Sequence, residues 1–277
     1  MRSYLNYIEE AEFAIKLLSK FDLQGKRILE VGSGAGIFMS WLLLNGVDII
    51  GIEPSALGFS FHQDVLTAIL DYFNLPKERV FDLSAEQLDV AITGKFDLVY
   101  SINVMEHIPV KNLELAFSKM KYVLTETGVM YHHCPNYIIP FEPHYGVPLV
   151  PFFPQVVGKL KGIHKEDLWS SVNFITLPQV KKIAKKIDLD IDFKKNVMKE
   201  TFTRLEFDQQ FSSRHPMLVK VYKVLKAVKI IDLLGLIPPV LSTPMTYTLT
   251  VKNNAQLLSS TFVTQDAQAQ QLKLEEL

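Results

Sequence analysis

The segment Glu30-Val31-Gly32-Ser33-Gly34-Ala35-Gly36 places a carboxylate two positions before three alternating glycines. It closes the apolar run Arg27-Ile28-Leu29 and opens a helix-like run at Ile37-Phe38. A strand, a glycine turn and a helix in that order let the backbone press against a nucleotide-like ligand. A dinucleotide fingerprint would place glycine at position 37, where this chain has isoleucine. Glu30 would also repel a pyrophosphate, whereas it would attract a ligand that carries a cationic amine. A second acid, Glu53, ends the strand-like run Val47–Ile52. It lies about twenty residues past the first glycine, the spacing at which an acid reaches a ribose diol. A third group, Pro140-Phe141-Glu142-Pro143-His144-Tyr145-Gly146, offers a base. Histidine has the right ordinary pKa to deprotonate an activated hydroxyl near neutrality, so His144 is the expected base. Glu142 or Tyr145 would orient it or hold a polyol. The competing reading has His144 and Tyr145 locking a proline-rich loop by hydrogen bonding.

Three further stretches extend the pattern. Phe96-Asp97-Leu98-Val99-Tyr100-Ser101 reads as a buried strand, followed by Ile102-Asn103-Val104-Met105-Glu106-His107-Ile108; Gly128 to Asn136 reads as the next strand with a terminal Pro-Asn. The sequence E-V-G-S-G-A-G resembles motif I of the class I S-adenosylmethionine-dependent methyltransferases. The Phe-Asp and Glu-His segments resemble those of small-molecule methyltransferases, including those of ubiquinone biosynthesis. The resemblance runs from the N-terminus to Asn136, with a last strand at Met245–Lys252. It implies S-adenosylmethionine as cofactor and S-adenosylhomocysteine as product, a ligand with an ammonium, a sulfonium and no phosphate. Glu30 would hold the ammonium and Glu53 the ribose. Gly32, Ser33, Gly34, Gly36, Pro54, Ser84, Ala85, Glu86, Ser101 and Asn103 would complete the cofactor site. The family often has an acid before the alanine that follows the third strand; here Ser84 precedes Ala85, so main-chain contacts from both are expected at the adenine. His107 would act in catalysis or pack against the cofactor.

Other chemistries are disfavoured. Ser101-Ile102-Asn103-Val104 stands where base-directed methyltransferases carry an Asn/Asp-Pro-Pro-aromatic motif, which argues against a DNA adenine acceptor. His132 and His133 would point to opposite faces of a strand and cannot chelate one ion, and no closely spaced Cys/His pairs occur, so no metal is expected. With 29 basic and 30 acidic residues the chain has no general attraction to nucleic acid. The single cysteine, Cys134, excludes an internal disulfide framework and fits a reducing, cytoplasmic setting. The N-terminus lacks a signal-peptide apolar core, and no apolar run reaches the ~20 residues of a spanning helix.

These groups require an α/β framework. The expected fold is a Rossmann-like, mostly parallel sheet of about seven strands with helices on both faces and one antiparallel strand near the end. Helices are expected over Tyr4–Phe21 above the ligand cleft, Ile37–Asn45 capped by Gly46, Phe59–Phe73, and Val110–Leu124 stopped by Thr127-Gly128; Met105–Ile108 is expected to open a helix. One domain would span 1–254, with insertions over about 135–177 and 199–243, and a polar tail over 255–277. The first insertion, dense in proline and aromatic residues, reads as an ordered lid of loop or broken helix. The second carries a helix candidate, Val219–Leu236, with Lys220, Lys223, Lys226 and Lys229. Its lysine face either is solvated while the helix packs on the domain, or rests on an anionic membrane surface together with Leu149–Phe153. The expected reaction is methyl transfer to oxygen on a small molecule, sugar or lipid-linked glycan. An N-methyltransferase and a non-catalytic interaction subunit are the alternatives, and the intact cofactor constellation argues against the last.

Overall fold

The computed structural model describes residues 2–55 and 60–252. Its strands are β1 (Arg27–Val31), β2 (Asp48–Ile52), β3 (Val80–Phe81), β4 (Phe96–Ile102), β5 (Leu124–Cys134), β6 (Phe141–Glu142), β7 (Val147–Pro148), β8 (Leu189–Phe193) and β9 (Met245–Val251). Seven of them form one sheet in the order β3-β2-β1-β4-β5-β9-β8, and β6 pairs with β7 in a separate hairpin. All pairings from β3 to β5 are parallel, and β9 runs antiparallel to both its neighbours. This is the Rossmann-like architecture that the strand and glycine pattern predicts. The polar tail and the start of the helix expected from Phe59 lie outside the described residues.

β1, β2 and β4 are apolar on both faces because helices cover both. On one face, α1 (Arg2–Leu18) and α2 (Ile37–Leu44) pack against Ile28, Ile49, Leu98 and Tyr100. The buried stripe of α1 is Ala11, Ala14 and Leu18, while Ile8 is exposed. Small residues at a helix's contact stripe allow close approach, and they bring α1 down over the glycine turn. α3 (Ser60–Tyr72) packs on α2, and α4 (Val90–Thr93) is a single turn before β4. On the other face, α5 (Leu113–Tyr122) buries Phe117 and Met120 against Leu29 and Val99.

The segment after β4 differs from expectation. Met105–His107 and Val110–Asn112 are separate 3-10 turns, and the helix begins only at Leu113. A residue far along the chain explains the break. Asn173 donates its amide N–H to the Glu106 carbonyl at 2.7 Å and its side-chain Nδ2 to the carbonyls of Met105 and Ile108 at 2.7 and 2.6 Å. Carbonyls held in this way cannot serve an i→i+4 ladder. At its other end α5 stops at Tyr122, and β5 begins at Leu124, so Thr127 and Gly128 lie inside the strand rather than at a helix stop.

The proline-rich insertion is ordered. It contains the β6–β7 hairpin, α6 (Gln155–Lys161) and α7 (Asp167–Ser171), around a small core of Leu149, Val157 and Trp169. α8 (Leu177–Lys186) then returns to the main core through Val180 and Ala184. Asn136 anchors the root of the lid. Its Nδ2 donates to the carbonyls of Val240 and Ser242 at 3.0 and 2.9 Å, and its Oδ1 accepts from the amide of Leu177 at 3.1 Å. The second insertion, between β8 and β9, holds α9 (Val197–Phe207), α10 (Gln209–Arg214) and α11 (Pro216–Ala227), then 3-10 turns at Ile231–Leu236 and Pro239–Leu241. The single helix expected over Val219–Leu236 breaks after Ala227, where Lys229 takes a left-handed φ of 56°. Its apolar side is only partly packed: Leu225, Ile231 and Leu234 join a core with Phe202 and Tyr222, whereas Val221, Val224 and Val228 are exposed. Among the described residues no helix is long and apolar enough to cross a membrane.

Candidate active site

The glycine turn sits between the ends of β1 and β2. The amides of Gly32 and Ser33 donate to the Ile52 carbonyl at 2.8 and 3.1 Å, and Gly36 donates to Ser33 at 2.8 Å. Gly34 has φ 51°, and a Cβ added there would meet nothing within 4 Å, so this glycine borders open space. Cβ atoms at Gly32 and Gly36 would instead collide with Val104 and Leu66, so these two are small for packing. Glu53 braces the turn: one carboxylate oxygen accepts from the Gly34 amide at 3.0 Å, and the other lies 3.4 Å from His62 Nδ1. Ser55 ties the loop after β2 to Asp82 after β3, through its amide and its hydroxyl at 2.8 Å each.

A pocket follows the turn, walled by Tyr7, Glu10 and Ala14 of α1, by Glu30, by Ile102 at the end of β4 and by Asn103 after it. Glu30 is buried, and its Oε2 has no hydrogen-bond partner among the described residues. Burial pushes its carboxyl up to about 8; Tyr100 opposes the shift and the charge of Glu53 adds to it. A buried carboxyl with one oxygen unbonded is costly to ionise until a cation arrives.

Other expected cofactor residues are placed differently. Both backbone groups of Ser84 are engaged: its amide donates to Gln87 Oε1 at 2.8 Å and its carbonyl accepts from the Gln87 amide at 3.0 Å. Ser84 thus caps the 3-10 turn Ala85–Gln87 and makes no free main-chain contact. Ala85 is buried in the main core, and Glu86 accepts from Asn112 Nδ2 at 2.7 Å. Pro54 is half-buried beside Glu53. Ser101 is a correction. It is fully buried and its Oγ lies 2.7 Å from His132 Nδ1, inside the sheet, because strand alternation turns Ser101 away from the face that carries Glu30, Tyr100 and Ile102. Asn103, with a left-handed φ of 55°, does line the pocket.

Beside this pocket lies a cluster of titratable groups from three segments. His144 Nδ1 hydrogen-bonds Glu142 Oε1 at 2.6 Å, and its Nε2 lies 4.0 Å from Glu106 Oε1. Glu142 also accepts from the Tyr137 hydroxyl at 3.1 Å and the Tyr145 amide at 2.7 Å. His107 holds Ser171 Oγ at 2.8 Å through Nδ1, and its ring centroid lies 5.3 Å from that of His144. Glu106 is fully buried, and neither carboxylate oxygen has a hydrogen-bond partner among the described residues. Burial raises it to about 7; His144 opposes this, and Glu142 and Glu10 add to it. Burial works against the His144 imidazolium, yet the Glu142 hydrogen bond and the charges of Glu106, Glu142 and Glu10 outweigh it and hold His144 above the ordinary histidine value. His107 is pushed down to about 4 by burial and by the charge of His144. Glu10 both lines the pocket and acts on Glu106 and His144, so pocket and cluster adjoin. The Tyr145 hydroxyl points elsewhere, donating to Glu166 at 2.9 Å, with its ring against Trp169. Tyr145 therefore locks the lid and orients Glu142 through its backbone, which corrects its place among the catalytic side chains.

A methyltransferase-domain family model matches residues 3–191 of the 277. The chain belongs to this family. It is a class I S-adenosylmethionine-dependent methyltransferase, and S-adenosylmethionine is its cofactor. The uncharacterized protein Rv1509 of Mycobacterium tuberculosis is 30% identical over 258 residues, covering 87% of this chain and 85% of that protein. A ubiquinone biosynthesis O-methyltransferase of Acinetobacter baumannii is 33% identical over 91 residues, 31% of this chain and 35% of that one. Among solved structures, the fold is similar to that of the cyclopropane synthase MmaA2 from Mycobacterium tuberculosis, with a TM-score of 0.53, 18% identity, and 87% and 82% of the two chains covered. It is also similar to an S-adenosylmethionine-dependent methyltransferase from Mesorhizobium loti, with a TM-score of 0.53, 14% identity, and 86% and 97% coverage.

The residues of the methyltransferase fit the cofactor: a buried carboxylate oxygen awaits a cation, and the glycine beside it borders open space. Sequence reasoning missed Glu106, Tyr137, Ser171 and Glu10. Glu106 carried a signal, an acid next to Met105 and Ile108, but its partners come from the lid more than thirty positions on. Glu106, His107 and His144 also each bring one potential ligand atom within 4.8 Å of the others, a grouping that strand spacing could not reveal. His132 and His133 do face opposite sides, toward Phe117 and Phe13 respectively.

Proposed function

We propose that this methyltransferase methylates a hydroxyl oxygen of a small molecule, sugar or lipid-linked glycan, with His144 as the base. The observation that carries the reading is the His144–Glu142 pair beside the cofactor pocket. With Nδ1 committed to a carboxylate, the neutral ring presents the Nε2 lone pair toward Glu106. S-adenosylmethionine supplies a methyl already activated by its sulfonium. Glu30 takes the ammonium of the methionine moiety, and Glu53, held against the Gly34 amide, accepts from the ribose hydroxyls. Gly34 leaves room for the ligand's chain, and Asn103 borders the remainder. With the cofactor bound to supply the methyl and take back the sulfur–carbon electron pair, His144 Nε2 would accept the proton of the acceptor hydroxyl. Glu142 then stabilises the imidazolium. His107, low in pKa and tied to Ser171, stays neutral and packs the site. An amine acceptor would draw on Glu142 and Tyr145, of which Glu142 is engaged by His144 and the Tyr145 hydroxyl by Glu166.

The test uses tritium-labelled cofactor with a panel of sugars, phenols and lipid-linked glycans. His144→Ala should lower turnover on the responsive acceptor by about 10²- to 10⁴-fold while leaving S-adenosylhomocysteine affinity intact. Near-normal turnover in that variant would remove His144 as base.

A further inference from the structure

Two segments that the methyl-transfer chemistry does not use expose apolar side chains on one edge of the sheet. The lid leaves β5 at Cys134, and the helical insertion leaves β8 at Phe193 and returns into β9 at Met245. Register pairs Cys134 with Met245 and Phe193 with Tyr247, so both insertions rise from the edge on which the cofactor pocket opens.

On α11, Leu218, Tyr222 and Leu225 pack inward. Met217, Val221, Val224 and Val228, spaced four, three and four apart, form a neighbouring stripe about a quarter-turn round the helix, all exposed, with Met217 at 76%. The following turn adds Leu236 at 78%. In the lid, Phe152 is 95% exposed with a left-handed φ of 65°, a conformation that bulky residues rarely adopt, and Phe153 beside it is exposed too. On α6, Leu160 is 79% exposed. Apolar exposure on elements that rise from one edge of the sheet suits an interaction surface.

The charges around it indicate what covers it. Lys220 and Lys223 flank the α11 stripe, and Lys159 and Lys161 flank Leu160; none of the four makes an ion pair among the described residues. The acids near α11 are already engaged: Glu206 with Lys226, Asp208 with Arg204, Asp232 with Lys199, whereas the lid carries exposed Glu166 and Asp167 after α6. The α11 stripe is therefore apolar with an uncompensated positive border. Lysine is depleted in protein–protein interfaces, whereas an apolar stripe with flanking lysines suits an anionic lipid surface. β9 runs the other way and carries the chain to Lys252 at the opposite edge, so the described chain brings no further segment to this face.

We propose that this edge rests on an anionic lipid bilayer, with Phe152, Phe153 and the α11 stripe in the acyl–headgroup boundary and the lysines on the headgroups. The active site then opens toward the membrane. Resting on the methyl-transfer reading, the inference selects among its acceptors: an amphiphile whose hydroxyl lies at headgroup level.

The test is sedimentation of the full chain with vesicles of phosphatidylcholine, alone or mixed with phosphatidylglycerol, at low and high salt. Binding is expected only to the mixed vesicles, weakening with salt. Lys220→Glu with Lys223→Glu, and separately Phe152→Ser with Phe153→Ser, should each reduce partitioning by on the order of tenfold or more. S-adenosylhomocysteine affinity should stay unchanged in both, which shows that the variants are folded. Absence of binding to anionic vesicles, or equal binding by both double variants, would overturn the proposal. Self-association in analytical ultracentrifugation that the same substitutions abolish would overturn it too, by assigning the face to a second copy. Vesicle binding that persists while no acceptor is methylated would leave this surface standing and fault the acceptor reading alone.

Discussion

Glu30→Gln separates a carboxylate kept for a ligand from one kept for the fold. In the empty protein, burial holds Glu30 near 8 against an ordinary 4.5. An acid with a raised folded pKa keeps a proton that the unfolded chain has already released. Stability should therefore fall as pH rises from about 5 to about 8, by roughly 1.4 kcal/mol per pH unit and on the order of 3–5 kcal/mol across the window. Glutamine has nearly the same shape and does not titrate. The empty variant should thus melt higher than wild type at pH 8, with the difference shrinking toward pH 5. Ligand binding should show the opposite preference. At pH 7 a carboxyl with pKa about 8 is roughly nine-tenths protonated, so capturing the ligand ammonium as a carboxylate should release close to one proton. Ionising it there costs about 1.4 kcal/mol, set against the 1.5–3 kcal/mol of a charge-assisted hydrogen bond. The affinity deficit of the variant should accordingly be small at pH 6 and widen by pH 7.5. Calorimetry with S-adenosylhomocysteine in phosphate and in Tris reads both the affinity and the proton count. Equal affinity in the two proteins at every pH, with no proton release by wild type, would refute the ammonium role and leave Glu30 a structural acid.

Glu53→Ala should weaken S-adenosylhomocysteine by about 1.5–3 kcal/mol, and a 2′-deoxy analogue should lose less against the variant than against wild type; equal calorimetric losses would show that Glu53 does not touch the sugar. Turnover should rise with pH through an apparent pKa above 6.5, because the raised pKa of His144 keeps the base protonated at lower pH. Glu142→Gln should move that limb to lower pH and reduce the plateau, and an unmoved limb would detach Glu142 from the base. Incubation with EDTA should leave turnover unchanged; a loss restored by zinc or manganese would make Glu106, His107 and His144 ion ligands and end the base reading.

The parallel half of the sheet was legible because apolar runs buried on both faces announce their own strands, and because a carboxylate before three glycines has few other uses. The errors share a cause. Two helix boundaries misread from sequence are set by a distant partner or by an unusual backbone angle at an ordinary residue. Nothing near Met105 announces that Asn173 will take the carbonyls a helix needs. Nothing near Lys229 announces a left-handed residue. Ser101 was misplaced by one position of strand alternation, since the crevice begins only at Ile102 and Asn103. In the site, His144 and Glu142 were visible together because two positions along a short strand and its turn bring them into contact. Glu106 stood in plain view beside His107, but an unpartnered buried acid is defined by what surrounds it, and the lid that surrounds it lies elsewhere in the chain.

Asn136 makes the two insertions one inheritable unit. Its side chain bonds the stretch that ends the helical insertion, at Val240 and Ser242, and the start of α8 that follows the lid, at Leu177. A chimera that imports a relative's lid without the matching 240–242 stretch would leave amide donors or carbonyls buried without partners, each at a cost of about 1–3 kcal/mol. The lid and the 240–242 stretch would therefore have to be transplanted as a pair. Recombination that respects the pair would keep these bonds, whereas recombination that splits it would be penalised at the level of folding before any substrate is met.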